Sequence, residues 1–269
     1  MSRSRVPTLR SNLPILTADE LELAEQSLLL VSPTFNERSN LEELVARVFA
    51  AAPRCHLLVV DDNSPDGTAA LCSELALRFP GLHLLERKGD RGLGRAYVDG
   101  LQYGLAHGYK WIGTLDADLS HDPEYLPTML AVAATRDVVI GSRYVRDGGT
   151  VNWRIRRIVL SYTANRFAAW LLRIPARDTT SGYRLYRASA LARIPLEDVR
   201  SSGYSFLVEL LYRLHRAGCT IGESPIVFYD RTQGESKLGA REIYVGALRL
   251  LGMRLGALRR PAARPESGT

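Results

Sequence analysis

Short runs of consecutive apolar residues alternate along the first half of the chain with longer stretches whose apolar positions recur every three or four residues. Ser27–Ser32 (SLLLVS), His56–Val60 (HLLVV), Leu82–Glu86, Trp111–Leu115 and Val138–Gly141 are the short runs, each the length of a buried strand. Asn40–Ala52, Thr68–Phe79, Gly94–His107 and Pro123–Ala134 carry the helical period. In the first of these, Leu41, Leu44, Val45 and Val48 share one face. Strands and helices alternating through short connections predict an α/β fold, a mostly parallel sheet with helices on both faces. Ligands of such sheets bind beyond the carboxyl ends of the strands. The polar clusters Pro33–Glu37, Asp61–Gly67 and Asp116–Ser120, with Arg143, fall at those ends.

The second half reads differently. Asn152–Leu172 predicts a long helix carrying Arg154, Arg156, Arg157 and Arg166, Phe206–Arg216 another, and Thr220–Tyr229 a strand. Ile243–Arg260 predicts a basic amphipathic helix, with Leu248, Leu251, Leu255 and Leu258 at helical spacing beside Arg249, Arg254, Arg259 and Arg260. The domain reading is therefore a loose arm over residues 1–24, one α/β domain over 25–242, the amphipathic helix over 243–260 and a disordered tail over 261–269.

Composition narrows the setting without choosing a partner. The 269 residues are 46% hydrophobic and 24% charged, with a formal net charge of +6, which suits nucleic acid, an anionic membrane surface or a phosphate-bearing substrate. Cys55, Cys72 and Cys219 are too few and too scattered for a disulfide framework or zinc site, so they read as small buried residues of a protein in a reducing compartment. The N-terminus lacks the apolar core of a signal peptide. The longest apolar stretch, Ile158–Ile174, is interrupted by Arg166 and Arg173 and falls short of the ~20 apolar residues that span a bilayer. The expectation is a cytoplasmic protein that uses a membrane only from its surface.

Three polar constellations carry candidate chemistry. Asp116-Ala117-Asp118 follows an apolar strand, and alternate carboxylates there can flank one hard divalent cation, Mg²⁺ or Mn²⁺; turn or helix-cap aspartates have the same spacing. Asp61-Asp62-Asn63-Ser64-Pro65-Asp66-Gly67 follows another strand, where Asp62 can hydrogen-bond a nucleoside and the rest form a turn and helix cap. Arg231 and Lys237 flank a glycine loop that suits closure over a diphosphate, although a solvated charge run looks alike.

Their order along the chain is more specific than any one of them. Pro33-Thr-Phe-Asn-Glu37, Val60-Asp-Asp-Asn-Ser-Pro-Asp-Gly-Thr68, Gly92-Leu-Gly-Arg-Ala96, Asp116-Ala-Asp-Leu-Ser120, Gly141-Ser-Arg-Tyr144, Thr180-Ser-Gly-Tyr-Arg184 and Arg231…Gly234-Glu-Ser-Lys237 occur in succession. From Leu28 to Ile243 the chain resembles the polyprenyl- and dolichyl-phosphate mannose synthases among the family 2 inverting glycosyltransferases.

The resemblance implies a GT-A fold, a Rossmann-like sheet flanked by helices. It implies transfer of mannose from GDP-mannose to a polyprenyl phosphate, in one in-line displacement that inverts the sugar. Pro33, Phe35 and Glu37 then contact the nucleoside, with Phe35 standing where the family usually has tyrosine. Val60 and Asp62 contact base or ribose, and Asp116, Ala117 and Asp118 form the metal and diphosphate site. Arg143 and Arg157 clamp the acceptor phosphate, while Arg231 and Lys237 reach the donor diphosphate. Asp118, Arg143 and Lys237 are the expected catalytic residues, and Ser120 stands where some relatives place a metal-touching glutamine. The expected partners are GDP-mannose, the lipid phosphate, the cytoplasmic membrane face and a separate membrane protein if its own helices do not suffice. Transfer of glucose or another sugar is the nearest rival. A non-catalytic nucleotide- or membrane-binding module requires degraded motifs, and no nucleic-acid module is present.

Overall fold

The computed structural model describes residues 16–89, 91–199, 201, 203–230 and 250–256. Arg231, Lys237 and most of the amphipathic stretch 243–260 lie outside the described residues.

The sheet grows from the two-sided burial of its strands. In β1 (Leu28–Thr34), Leu28 and Leu30 enter one core cluster while Leu29 and Val31 enter the other, so the run is apolar throughout rather than alternating. β2 (His56–Asp61), β3 (Leu82–Glu86) and β4 (Trp111–Thr114) join it in parallel. β5 (Val138–Ser142), β7 (Arg184–Arg187) and β8 (Ile221–Pro225) complete seven strands in the order β3-β2-β1-β4-β7-β5-β8. β7 runs antiparallel to both of its neighbours, and β8 is parallel to β5. A small second sheet pairs β6 (Gly149–Val151) with β9 (Val227–Tyr229).

Helices cover both faces. α2 (Arg38–Ala51), α3 (Thr68–Ala76) and α5 (Leu126–Ala133) cover the face carrying Leu30, Leu57 and Val59. α4 (Leu93–Ala106), α6 (Ile155–Leu172), α7 (Ala188–Leu191) and α8 (Tyr204–Arg216) cover the face carrying Val31, Leu58 and Ile140. Each fully buried leucine here contributes about 1.5–3 kcal/mol. α4 lies close to β1 because Gly100 has no side chain; a Cβ there would overlap Val31.

The strand expected over Thr220–Tyr229 is two strands. Pro225 ends β8, and the chain then crosses to the second sheet. The long helix begins at Ile155 rather than Asn152, whose positive φ of 65° is not helical. The arm read over residues 1–24 is corrected at its end: α1 (Ala18–Gln26) is a helix. Thr17 accepts from Glu20 N while the Glu20 carboxylate accepts from Thr17 N, a reciprocal cap worth about 1 kcal/mol. Within 250–256 the chain is helical, with Leu250 and Met253 on the α8-side core and Leu251 and Leu255 exposed. No helix of the described residues is long and apolar enough to cross a membrane.

Candidate functional site

The polar clusters gather at the carboxyl edge of the parallel strands, and the backbone turns sharply there. Asn36, Asn63 and Leu119 have φ of 60°, 57° and 61°, each directly after a candidate residue: Phe35, Asp62 and Asp118. Asparagine tolerates this left-handed conformation, whereas Leu119 holds it at a cost of about 1–2 kcal/mol. That strain sits in the Asp116–Ser120 turn.

On one side lies the β1–β2 edge. Asp61 is buried and takes Thr34 Oγ1, Ser64 N and Ser64 Oγ, so it builds the turn. Asp62 pairs with Arg87 and accepts Gly92 N at 2.7 Å, and Arg87 also reaches Asp99 at 2.6 Å. Phe35 is exposed, with the Arg91 guanidinium 4.5 Å from its ring centre, and Arg91 also donates to the Asn63 carbonyl. Glu37 is half-buried and accepts Asn40 Nδ2. Pro33, Val60 and Ala117 are buried, Val60 within the core under α4. Among the expected nucleoside contacts, Phe35 and Glu37 are the side chains that reach outward.

At the centre are Asp116 and Asp118, both half-buried. Asp116 Oδ1 accepts the hydroxyl of Tyr97, while its Oδ2 lies 3.5 Å from His121 Nδ1. Burial, reinforced by the Asp116 charge, holds the Tyr97 phenol well above its ordinary pKa, so it is the donor. Burial pushes His121 below the usual imidazole range against the opposing pull of Asp116 and Asp118. Asp118 Oδ1 caps the turn by accepting Ser120 N at 3.0 Å. The Ser120 hydroxyl and both His121 ring nitrogens are buried without a hydrogen-bond partner among the described residues.

On the far side lies a cage around two arginines. Arg143 gives Nε and Nη2 to the two oxygens of buried Asp178 at 2.7 Å each, and Nη2 also reaches Thr180. Its guanidinium lies near the rings of Tyr144, Trp153 and Phe228. Arg157 stacks on Trp153 at 3.9 Å and donates to Asp230 at 2.7 Å. Burial alone would raise the Asp178 pKa, but the charge of Arg143 and its hydrogen bonds hold it below the ordinary carboxylate range. The 178–182 segment is fixed from several directions: Asn165 of α6 binds Thr179 and Thr180, and Arg184 donates to the carbonyls of Thr179, Ser181 and Leu207.

One bridge joins the carboxylates to the cage. His121 sits beside Asp116, and its ring meets Phe228 edge-on at 5.0 Å, with Phe228 under Arg143. The Asp116 carboxylate and the Arg143 guanidinium are thus separated by two side chains. Sequence reasoning missed Tyr97, His121, Asp178, Trp153 and Phe228. Asp178 and Tyr97 flank the quoted Thr180–Arg184 and Gly92–Ala96 motifs, which was the only signal for them.

The Glycosyl transferase family 2 profile matches residues 30–194. Polyprenol monophosphomannose synthase of Mycolicibacterium smegmatis is 47% identical over 220 residues, covering 81% of this chain and 83% of that protein. Undecaprenyl-phosphate mannosyltransferase of Micrococcus luteus is 42% identical over 210 residues, covering 78% and 86%. The solved structure of glucosyl-3-phosphoglycerate synthase from Mycobacterium tuberculosis, in complex with Mn²⁺, uridine-diphosphate and glucosyl-3-phosphoglycerate, superposes with a TM-score of 0.62 at 18% identity, over 96% of this chain and 88% of that one. At that identity the likeness is one of fold, and it meets the GT-A expectation.

Proposed function

The chain belongs to glycosyl transferase family 2, and on that premise we propose that it transfers mannose from GDP-mannose to a polyprenyl phosphate, with inversion, at the cytoplasmic face of a membrane. The observation that carries the reading is the short His121–Phe228 bridge between the Asp116 carboxylate and the Arg143–Arg157 cage. A transferase that joins a nucleotide-linked sugar to a phosphate must hold two anions side by side.

In this reading the nucleoside lies on the β1–β2 edge. A base stacking on the exposed Phe35 ring takes the place that Arg91 holds over it. Asp62, fixed by Arg87 and Gly92 N, keeps lone pairs for a ribose hydroxyl. Asp116 and Asp118 hold Mg²⁺ or Mn²⁺. Two half-buried carboxylates in a hard-oxygen turn fit such an ion, which takes its remaining ligands from phosphates and water. Among the described residues no cluster of three or more His, Cys, Asp or Glu side chains could hold a metal by itself. When bound, the ion offsets charge growing on the leaving diphosphate. Arg231 and Lys237 add to that charge balance.

The acceptor phosphate is already anionic at neutral pH, so the chain has no proton to remove and its task is positioning. Arg157, less buried than Arg143, gives the phosphate its more accessible donors. Arg143, its charge balanced by Asp178, contributes a guanidinium held in one fixed orientation. Each charged hydrogen bond to the phosphate is worth about 1.5–3 kcal/mol.

The lipid requires contact with a bilayer. α6 leaves Ile155, Val159, Tyr162, Phe167 and Trp170 exposed, with the exposed Arg156 and Arg166 among them. An apolar face among arginines suits the surface of an anionic membrane.

The test is incubation with polyprenyl phosphate and a panel of labelled nucleotide sugars, followed by organic extraction. Label from GDP-mannose should enter the organic phase. Label arriving only from another donor would overturn the sugar assignment, and none from any donor would overturn the reaction.

A further inference from the structure

Tyr97 is buried in α4, and its ring stacks on Phe206 of α8 with 5.6 Å between centroids and planes 3° apart. A buried phenol needs a partner for its hydroxyl. Tyr186 and Tyr212, in the same core cluster, have hydroxyls without one among the described residues. The Tyr97 hydroxyl instead reaches Asp116 Oδ1.

The other oxygen of that carboxylate is also bounded. His121 Nδ1 lies 3.5 Å from Oδ2, and a Cβ on Gly182 would lie 3.0 Å from it, so a side chain there would crowd the carboxylate. An aspartate at a strand end ordinarily turns about two side-chain bonds. Here a stacked ring, an imidazole and a bare backbone hold it to one orientation.

We propose that Tyr97 is a positioning residue that presets Asp116 for a divalent cation. The inference rests on reading Asp116 and Asp118 as the cation's protein ligands. With Oδ1 taken by the phenol, Asp116 meets the ion through a single oxygen. That suits a small ion with strict octahedral geometry better than chelation by both oxygens would. Removing an outer partner of this kind weakens metal affinity roughly 10–100-fold.

The experiment uses the full chain, with GDP present and free Mn²⁺ counted by electron paramagnetic resonance. Tyr97→Phe keeps the ring and its stacking and removes only the hydroxyl. It should weaken the Mn²⁺ dissociation constant about 10-fold or more, and turnover should return toward the wild-type value once Mn²⁺ saturates. Equal Mn²⁺ affinity in the two proteins overturns the role given to Tyr97, as does a turnover loss that saturating Mn²⁺ does not repair. If the wild-type chain itself binds no Mn²⁺ beside GDP, the reading of Asp116 and Asp118 falls first, and this inference falls with it.

Discussion

Arg143 and Asp178 meet through two nitrogen–oxygen contacts of 2.7 Å, and the Arg143 backbone N–H adds a third at 3.0 Å. The carboxylate is fully buried and the guanidinium nearly so. Removing one partner of such a pair leaves an uncompensated buried charge, at a cost of about 3–5 kcal/mol. Asp178→Ala should therefore lose about that much stability in urea denaturation. The Asp178 pKa is depressed on folding, so its contribution is fully present above the unfolded value near 3.9 and is lost as pH falls below it. Acid unfolding of the wild type should steepen in that range, and an Asp178→Ala curve equally steep would refute the assignment.

Arg157 separates binding from folding more cleanly. It is half-buried, and its partners are Asp230 and the face of Trp153. Arg157→Ala should raise the acceptor KM about 10-fold, equivalent to about 1.4 kcal/mol, and leave GDP-mannose affinity near the wild-type value. A change confined to donor binding would move Arg157 out of the acceptor site.

Asp118 lies in the turn beyond β4, half-buried, so its loss should spare the fold. Asp118→Ala is expected to lose nearly all turnover while keeping the wild-type circular dichroism. Chelation should abolish wild-type transfer, and Mg²⁺ or Mn²⁺ should restore it. Full activity of the variant in excess chelator would exclude metal-assisted transfer.

What could be read from the sequence follows how locally each feature is encoded. β1, β2, β4 and their helices were legible because two-sided burial writes continuous apolar runs such as Leu28–Val31 and Leu57–Val60. β7 was not, since Arg184–Arg187 carries two arginines and becomes a strand only by inserting between β4 and β5. At the site, the carboxylates and arginines were legible by type and order. Their pairing was not: Asp178 lies 35 positions from Arg143, and Asp230 lies 73 from Arg157. Tyr97 read as one more apolar position of a helix, because nothing local reveals that its hydroxyl meets Asp116.

Away from the site, His56 Nδ1 and His83 Nε2 lie 2.8 Å apart at the other end of the sheet, with the Tyr109 hydroxyl 2.8 Å from His56. Burial lowers both imidazole pKa values, and for His83 the nearby His56 and His107 lower it further. The unfolded chain then binds more protons than the folded one just below the ordinary histidine value of about 6.5. The pair's contribution is therefore intact above about pH 6.5 and is lost as pH falls toward the depressed folded values. The urea midpoint should drop between pH 7 and pH 5, and His83→Gln should flatten that drop. An unchanged slope in the variant would assign the acid sensitivity to other groups.

The membrane face gives the last prediction, and the structure decides which variant tests it. Truncation ahead of residue 250 looks natural from the amphipathic sequence at the C-terminal end, but Leu250 is buried against the α8-side core with Met253 beside it. Removing that segment strips core contacts as well as any lipid contact, so lost liposome binding would have two causes. α6 has no such ambiguity. Ile155 and Trp170, at opposite ends of the helix, are 80% and 74% exposed, and neither belongs to a core cluster. Replacing both with serine removes about 3–6 kcal/mol of apolar burial available to a bilayer, at about 1.5–3 kcal/mol per large side chain, and leaves the core intact. The double variant should keep its thermal midpoint and its turnover on a short, water-soluble polyprenyl phosphate. Its binding to anionic liposomes at low salt should fall at least 10-fold, and wild-type binding should weaken as salt rises, because arginines flank the apolar face. Wild-type affinity in the double variant would show that α6 does not carry the docking, and recruitment would then pass to another segment or to a separate membrane protein.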